Sequence, residues 1–413
     1  MVKLKKYKLG ELIDVRRGAS LAGEFYATEG ELVRLTLGHF DYQDGGFKDN
    51  TSKDNLYFTG PIKPEFILNK GDIITPLTEQ TPGLLGSTAM IPESGKYIQS
   101  QDVALITPDE TKLDRNFCYY LLPSKIVKQQ LAAGAQQTKI RHTTPDRIKD
   151  LTVFIPDLSN QKAIGQLLRD IDRKIALNRE INRNLEAMAR QLYNYWFIQF
   201  DFPDENGRPY KSSGGKMIWN EKLKHEIPYG WEVAAIGDIL DKYPTTKRFD
   251  TSEYLNEGLH PIIDQGDSYI VGFTNETVNV LHKYPAVLFG DHSTRVKFID
   301  FPFGRGADGT QILYSKSSKI SQWYLYLFVS SLSIPNPGYS RHFKYLKEML
   351  IIVPSQAVTD EFSKVIEPVF TEWTSQIFEV IQLSKQRDEL LPLLMNGQVS
   401  VMQPEVNCDL SHD

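Results

Sequence analysis

The sequence predicts a mixed α/β (α+β) fold in which two strand-rich globular domains are separated by two long helices that form an antiparallel coiled coil, with an internal pseudo-twofold. Two observations predict this fold. The chain repeats itself after about 200 residues. Two stretches of roughly 40 residues each carry apolar residues at heptad spacing, whereas Gly, Pro, Asn and Asp punctuate short β-type runs elsewhere.

The repeat is clearest where each globular domain leads into its helix. Residues 117–156 contain an aromatic run, then Arg141-His142, then a strand that ends at a proline, and residues 323–354 contain the same features in the same order. The segment 149–151 aligns with 347–349, and the opening 9–13 aligns with 236–240. Two copies of one module suit a partner with twofold symmetry, and duplex DNA is the commonest such partner.

The boundaries follow from these patterns. In chain order, the predicted segments are a strand-rich domain 1–157, a long helix 158–198, a linker 199–230, a second strand-rich domain 231–356, a second long helix 357–400 and a frayed tail 401–413. Strands are predicted near 71–75, 102–106, 269–273, 286–289 and 312–314, with a helix over 115–133. Aromatic residues in the linker predict that it packs on a surface.

The first long helix has an apolar seam at heptad spacing, with Ser159 or Asn160 as its predicted cap. The seam positions are Ile164, Leu168, Ile171, Ile175, Asn178, Asn182, Leu185, Ala189 and Leu192. Asn178 and Asn182 interrupt it, and they either fix the register of the helix pair or face solvent at a gap.

The second long helix repeats the pattern. Its predicted seam consists of Phe362, Val365, Val369, Trp373, Ile377, Val380, Ser384, Arg387 and Leu391. Pro368 predicts either a kink or a late start, and Gly397 predicts the stop.

Composition excludes some classes of protein and leaves others open. The 413 residues carry 47 Lys and Arg against 52 Asp and Glu, a net charge of −5 that argues mildly against a nucleic-acid binder but can hide local basic patches. Two distant cysteines, Cys118 and Cys408, predict neither a disulfide framework nor a zinc site. With no signal peptide and no long apolar run, we expect a soluble protein of the reducing cytoplasm.

The usual catalytic motifs are missing. Gly215-Lys216 is followed by Met217 and is not a P-loop, and Gly304-Arg305-Gly306 lacks the context of a dinucleotide site. Asp264, Asp291 and His292 could form a metal group, which keeps open the alternative of a duplicated metal-dependent nuclease. We expect no catalytic residue and no metal ligand in this chain.

Basic and polar side chains concentrate in turn-like stretches, where they could contact DNA bases and phosphates. The candidates in the first copy are Arg16, Arg17, Lys139, Arg141 and His142, and those in the second are Lys247, Arg248, His292, Arg295, Arg305, Arg341 and His342. Any single one of them is more often a solvated loop residue. The set gains weight because Arg-His recurs at the corresponding place in both copies.

Three stretches then carry a family resemblance. The first runs from Asn160-Gln161-Lys162-Ala163-Ile164 to Tyr195-Trp196-Phe197, the second from Asn206-Gly207-Arg208-Pro209 to Gly230-Trp231-Glu232-Val233, and the third is Leu390-Leu391-Pro392-Leu393-Leu394-Met395-Asn396-Gly397. In these motifs and in its domain order the chain resembles a type I restriction–modification specificity subunit. The entry to the second helix, 355–360, departs from the Gln-rich pattern of the family.

The resemblance implies a role. In this family each globular domain is a target recognition domain for one half of a split DNA sequence, and the two helices set the gap. The subunit is not itself catalytic. It recruits two modification subunits, which use S-adenosylmethionine to methylate adenine, and it can recruit ATP- and Mg-dependent restriction subunits. This chain is then expected to hold no cofactor. A stand-alone DNA-binding regulator is a further alternative.

Overall fold

The computed structural model describes residues 2–41, 45–79, 83–134, 141–243, 246–334 and 341–401. The chain divides into two compact units, one formed by Met1–Ala176 with Ile381–Asp413 and the other by Leu177–Val380. The divisions fall inside the two long helices, so each helix contributes one part of its length to each unit. The predicted tail lies outside the described residues, apart from residue 401.

The first unit is built of short strands and helices. In chain order they are β1 (Lys5–Lys8), β2 (Ile13–Arg17), β3 (Tyr26–Ala27), β4 (Val33–Arg34), β5 (Tyr57–Phe58), β6 (Ile73–Pro76), β7 (Thr78–Glu79), β8 (Ala89–Met90), β9 (Tyr97–Ile98), β10 (Val103–Pro108), α1 (Arg115–Leu121), α2 (Lys125–Gly134), β11 (Arg141–His142), α3 (Pro145–Lys149), β12 (Thr152–Ile155) and the start of α4 (Leu158–Tyr193). The main sheet has the order β2-β10-β6-β8, and a second has the order β3-β5-β4-β9.

The second unit contains the end of α4, the linker and the second copy. Its further elements are β13 (Met217–Asn220), β14 (His225–Pro228), β15 (Glu232–Ala235), α5 (Ile236–Ile239), β16 (His260–Ile263), β17 (Gly272–Thr274), β18 (Val280–Leu281), β19 (Ala286–Gly290), β20 (Val296–Ile299), β21 (Phe303–Arg305), β22 (Thr310–Leu313), α6 (Gln322–Ser331), α7 (Phe343–Glu348), β23 (Leu350–Val353) and α8 (Gln356–Met395). Its sheets have the orders β20-β19-β22 and β17-β16-β21-β18.

The opening of each copy pairs with the strand that leads into its long helix. In the first unit β1 runs antiparallel to β12, and the Leu9 N–H donates to the Leu151 carbonyl at 2.8 Å. In the second unit β15 runs antiparallel to β23, and the Ile236 N–H donates to the Met349 carbonyl at 2.8 Å. These are the segments that align in the sequence, so the repeat extends to the backbone hydrogen bonds.

Each aligned opening has a glycine at its second position, Gly10 in the first copy and Gly237 in the second, for a steric reason. A Cβ on Gly10 would lie 2.9 Å from the Lys149 Cβ, and a Cβ on Gly237 would lie 3.1 Å from the Lys347 carbonyl oxygen. Both approaches are tighter than ordinary van der Waals contact. The matched glycines therefore let the opening pack closely on the short helix α3 or α7.

The first long helix begins at Leu158, as predicted, but its cap differs from the predicted one. The Asp157 carboxylate, and not Ser159 or Asn160, accepts the Asn160 N–H at 3.0 Å and caps the helix. Gln161 is buried, accepts the Asp114 N–H at 2.9 Å and donates to the Lys112 carbonyl at 3.1 Å. It thereby joins the start of α4 to the first unit. The last turn, Asn194–Ile198, is a π-helix.

The second long helix is continuous from Gln356 through Pro368 to Met395, so the proline neither delays its start nor divides it. Gly397 follows with φ +64° and ends the helix as predicted. Thr359 occupies the position equivalent to Gln161 and donates to the Lys319 carbonyl at 2.7 Å. A shorter polar side chain thus makes the anchoring bond in the second copy, which explains why its entry departs from the Gln-rich pattern.

Within the first unit, the two long helices pack antiparallel. Ile164 and Leu168 of α4 share a core with Leu394 and Met395 of α8. Asp172 accepts hydrogen bonds from Arg387 of α8 at 2.9 Å and from the Tyr120 hydroxyl at 2.5 Å. Burial alone would lower the pKa of Arg387, but hydrogen bonds to Asp172 and Asp388 raise it above its usual value. We call Tyr120, Asp172 and Arg387 the polar triad.

Within the second unit, the other parts of the same helices also pack antiparallel. The fully buried Asn178 donates to Glu379 at 2.7 Å, and the Trp196 and Phe362 rings lie 5.3 Å apart. One predicted seam position is wrong: Val365 is 44% exposed, and its neighbour Ile366 is buried instead. The apolar stripe of α8 is thus displaced by one residue near its start.

Several other predictions need correction. The helix expected over 115–133 is two helices, α1 and α2, because Pro123 interrupts the run. The strand expected over 269–273 is β17, Gly272–Thr274, and the Tyr269 ring instead packs 5.4 Å from Trp373.

The linker packs as predicted, with Phe200 and Phe202 in the core of the second unit. In the described part of the chain, every helix is too short or too polar to cross a membrane.

Candidate nucleic-acid interface

In the first unit, Arg141 and His142 form β11, which pairs with β7. The Arg141 guanidinium lies 3.6 Å from the Glu79 carboxylate, which is buried. The other oxygen of this carboxylate accepts the backbone N–H groups of Gly83, Leu84 and Leu85 at 2.9–3.0 Å. Arg141 remains about one-third exposed, at 35%, and His142 is exposed. The arginine is therefore held from behind and can present its outer edge to a ligand.

Arg17 lies at the same end of the main sheet as the Arg-His strand. It faces Ala104 on β10, which in turn faces Thr75 near the end of β6. Arg17 is exposed and donates to the Gln101 carbonyl at 2.9 Å. Arg16 is half-buried, contacts the Phe66 ring and donates to the Glu65 carbonyl. Of these two predicted residues, Arg17 is the better placed to contact DNA.

A basic cavity of about 520 Å³ lies beside Arg141. Lys125 and Lys128 of α2 line it together with Glu79 and Gln129. Burial lowers the pKa of Lys128, whose ammonium donates to the Gly83 carbonyl at 3.1 Å. Sequence reasoning missed these lysines because their spacing on an amphipathic helix looks like that of an ordinary solvated face.

In the second unit, Gln265 joins the loops that carry the predicted residues. Its side chain donates to the Asp308 carbonyl at 2.6 Å and accepts the His292 N–H at 3.1 Å, and its carbonyl accepts the Ser293 hydroxyl at 2.8 Å. We call the residues around it, 246–248, 264–268, 291–295, 306–309 and 341, the loop cluster. Nothing in the sequence marks Gln265, because a single glutamine in a turn carries no pattern.

Three predicted cations of the second copy are exposed and form ion pairs. Arg248 pairs with Asp308, and Arg295 pairs with Asp267. Lys247 pairs with Glu253 and lies 3.5 Å from Glu276. All three belong to the second unit, and each joins two segments that are separate in the sequence.

Two predicted DNA-binding residues are buried. Arg305 is 3% exposed, and its guanidinium donates to the Tyr243 hydroxyl at 2.7 Å and the Thr246 carbonyl at 3.0 Å. His342 is fully buried. A side chain without accessible surface cannot contact a duplex that binds this conformation, so neither residue belongs to the accessible basic surface. Arg305 instead supports the segment that carries Lys247 and Arg248.

The second Arg-His pair is attached to the loop cluster through the backbone. The His342 N–H donates to the Asp291 carbonyl at 2.9 Å, and the Phe343 N–H donates to its carboxylate at 2.8 Å. Arg341 is exposed beside this attachment. The two Arg-His pairs therefore sit in different environments: His142 is exposed, whereas His342 is buried.

The metal group considered for the nuclease alternative is used differently. Asp291 holds the start of α7, and Asp264 accepts the Gly266 N–H at 2.7 Å and lies 4.0 Å from the buried Lys297. Among the residues that the structure describes, no three His, Cys, Asp or Glu side chains are grouped to hold a metal ion. Burial lowers the pKa of Lys297 to about 8.

The remaining predicted residues are resolved in part. Lys139 lies outside the described residues. Asn178 is fully buried and does not face solvent at a gap, whereas Asn182 is partly exposed although its side-chain oxygen is buried. Asn178 has a partner for its amide nitrogen in Glu379. Their role in fixing the register of the helices stays a prediction.

Comparison with known proteins agrees with this architecture. A family sequence model described as the type I restriction modification DNA specificity domain matches residues 1–187. The chain is 23% identical over 312 residues to the type I restriction enzyme MjaIX specificity subunit of Methanocaldococcus jannaschii, covering 69% of each chain. It is 22% identical over 422 residues to the HindI specificity subunit of Haemophilus influenzae, covering 82% of this chain and 89% of that one.

A solved structure shows the same fold. The crystal structure of a type I restriction-modification system S subunit from M. genitalium matches with a TM-score of 0.60 and 18% identity, over 95% of this chain and 96% of that chain. This chain and that S subunit thus share the fold of a duplicated strand-rich module combined with long helices. The chain is therefore similar to type I restriction–modification specificity subunits over its first copy in sequence and over nearly its whole length in fold.

Proposed function

We propose that this chain reads a bipartite DNA sequence for a type I restriction–modification complex, each copy of the module reading one half of the target. The observation that carries the proposal is the repeat itself. The same frame of paired strands and close-packed glycine occurs twice, whereas the exposed loops differ between the copies. A constant frame with variable loops is what two different half-sites require.

The proposed DNA surface consists of one part on each unit. On the first unit it comprises Arg17, Arg141, His142 and the lysines that line the basic cavity. On the second unit it comprises the exposed residues of the loop cluster, which include Lys247. Exposed arginines can read guanine edges, and lysines can contact phosphates. Lys139 and Arg16 remain candidates for the same surface.

The long helices are proposed to set the spacing between the two half-sites, and the chain is proposed to have no catalytic activity of its own. It would recruit two modification subunits, on which S-adenosylmethionine binds, and restriction subunits would supply the ATP- and Mg-dependent steps. The absence of a P-loop in the sequence supports this division of labour.

The decisive experiment is sequencing of methylated adenines in cells with and without this chain. We expect one split motif to disappear when the gene for this chain is deleted and to return when the full chain is restored. A methylome that does not change on deletion would contradict the proposal. The purified chain alone should neither methylate nor cleave a duplex that carries the motif, and cleavage with added Mg²⁺ would support the nuclease alternative instead.

A further inference from the structure

Two of the three arginines of the loop cluster, Arg248 and Arg295, share an arrangement that the proposed function does not explain. Each guanidinium forms an ion pair with an exposed aspartate: Nη1 of Arg248 contacts Asp308, and Nη2 of Arg295 contacts Asp267. The aspartate side chains are 85% and 79% exposed, so water screens both pairs. Exposed pairs of this kind contribute little to stability, which leaves their placement to be explained by another role.

The backbone that carries these aspartates is held in place. Gln265 donates to the Asp308 carbonyl at 2.6 Å, and its own carbonyl accepts the Ser293 hydroxyl at 2.8 Å. Asp267 follows Gln265 by two residues, and Arg295 follows Ser293 by two residues. Each carboxylate therefore approaches its arginine from a segment that Gln265 already fixes.

A carboxylate beside an exposed arginine has two effects on DNA binding. It repels phosphates, which supply essentially all of the attraction in non-specific binding. It also orients the guanidinium, which has five N–H donors and can pair through its other nitrogens with the two acceptors of a guanine edge. The first effect weakens binding to any duplex, and the second strengthens binding to the correct one.

We propose that Asp267 and Asp308 are specificity-determining positioning residues, which hold Arg295 and Arg248 for base reading and keep them from binding phosphates at random. The proposal rests on the proposed function, because it assigns these arginines to the surface that reads the second half-site. It predicts opposite changes in the two kinds of binding when the carboxylates are neutralised.

The test uses the full chain assembled with its modification subunits and the double substitution Asp267→Asn and Asp308→Asn. Fluorescence titration is carried out on a duplex with the motif found by methylome sequencing and on a duplex of equal length with both half-sites scrambled. We expect Kd for the scrambled duplex to fall about threefold to tenfold and its salt slope to steepen by about one to two units. Kd for the motif duplex should rise several-fold.

Two control variants separate the effects. Glu276→Gln removes a carboxylate that faces Lys247, and an ammonium has no planar fork to orient, so this variant should tighten non-specific binding without weakening specific binding. Glu221→Gln removes a 78% exposed partner of Lys224 in the hairpin of β13 and β14, and it should change neither.

The outcomes separate a failure of this proposal from a failure of the proposed function on which it rests. Unchanged binding to the scrambled duplex would overturn the proposal, and so would tighter binding to both duplexes, which simple loss of negative charge would cause. A loss of specific affinity alone would show that an aspartate reads a base directly, and it would also overturn the proposal. If the parent complex does not discriminate between the two duplexes, the proposed function itself fails.

Discussion

At the scale of single residues, the environment decides which basic side chains can act on DNA. Arg141 and Arg305 look equivalent in the sequence, since each is an arginine in a polar stretch with glycines or turns nearby. The structure leaves the first partly exposed over a buried carboxylate and buries the second against Tyr243. Burial depends on contacts between distant segments, and no local pattern encodes it.

Substituting Arg141 with Ala should weaken binding at the first half-site with little effect on folding, because Glu79 keeps its three backbone donors. If Arg141 reads a base, the loss should be about 1–3 kcal/mol with a relaxed preference at one position. If it contacts only phosphate, all duplexes should bind more weakly and the salt slope should fall by about one unit. Titration on matched and mismatched duplexes separates the two, and unchanged binding would mean that Arg141 does not touch DNA.

The buried Lys297 should make stability depend on pH. Its pKa is lowered to about 8 from an ordinary value of 10.5 because burial disfavours the charged form. Between these two values the unfolded chain binds a proton that the folded chain does not, so stability should rise with pH across that window. Relative to the variant Lys297→Met, the parent should gain at most about 3 kcal/mol. Urea unfolding of both at pH 7, 8.5 and 10 measures this gain, and a constant difference would contradict the prediction.

At the scale of elements, the long helices solve the same packing problem with different chemistry in the two units. Counted from Pro156 and Pro354, Asp172 corresponds to Phe370, and Arg387 corresponds to Ala189. The first unit therefore has the polar triad at the positions where the second unit has Phe370 and Ala189. In each unit a tyrosine of the globular part contacts the residue on the helix, Tyr120 with Asp172 in the first and Tyr326 with Phe370 in the second. Heptad spacing predicts which face is buried, but it does not predict this difference.

Removing Arg387 should lower the free energy of unfolding of the chain more than removing an exposed cation from the same helix. Arg387→Met leaves the partly buried Asp172 without its cation, at a cost of about 2–3 kcal/mol. Lys364→Met, which breaks an exposed pair with Glu361, should cause no measurable loss. The double substitution Asp172→Phe and Arg387→Ala, which copies the second unit, should recover part of the stability. Urea unfolding of the full chain checks all three, and equal losses for the two single variants would contradict the prediction.

Lengthening the helices should lengthen the gap in the DNA target. Because Asn178 pairs with Glu379 and Asp172 with Arg387, four residues should be inserted in both helices, at 173–177 and at 380–386, so that both contacts are kept. Four helical residues add about 6 Å and rotate the remainder of the helix by about 40°. We expect a gap longer by about one or two base pairs at about 3.4 Å each, read by methylome sequencing. An active complex with an unchanged gap would refute the spacing role of the helices.

The sequence predicts regular elements better than it predicts surfaces. Heptad spacing, the punctuation by glycine and proline, and the repeat are patterns within the sequence itself, and they identify both long helices and the corresponding segments of the two copies. The cap at Asp157 and the break at Pro123 have local signals that sequence reasoning overlooked, whereas the displacement to Ile366 depends on how the helix packs against other segments. Gln265 and Asp308 take their roles from loops that are far apart in the chain, so the residues that organise the interface could not be predicted.

At the scale of the whole molecule, the two copies are expected to act independently. Replacing residues 1–157 with the corresponding domain of another family member should change one half of the methylated motif and leave the other half and the gap unchanged. The reason is that the closing hydrogen bonds of each copy lie within that copy, as between Leu9 and Leu151. Methylome sequencing of cells that carry the hybrid chain provides the measurement. Altered bases in both halves would contradict the independence of the modules.

Because Gly10 and Gly237 are matched, the effect of the same substitution can be measured twice within this one chain. Gly10 and Gly237 meet the same obstacle, the backbone or Cβ of a lysine on a short helix. Substitution by alanine at either position should cost a similar free energy of unfolding, although the two positions differ in sequence context and are separated by more than half of the chain. Because the same steric contact occurs in both copies, a similar loss at the two positions would measure what the shared frame requires, separately from the loops that differ between the copies.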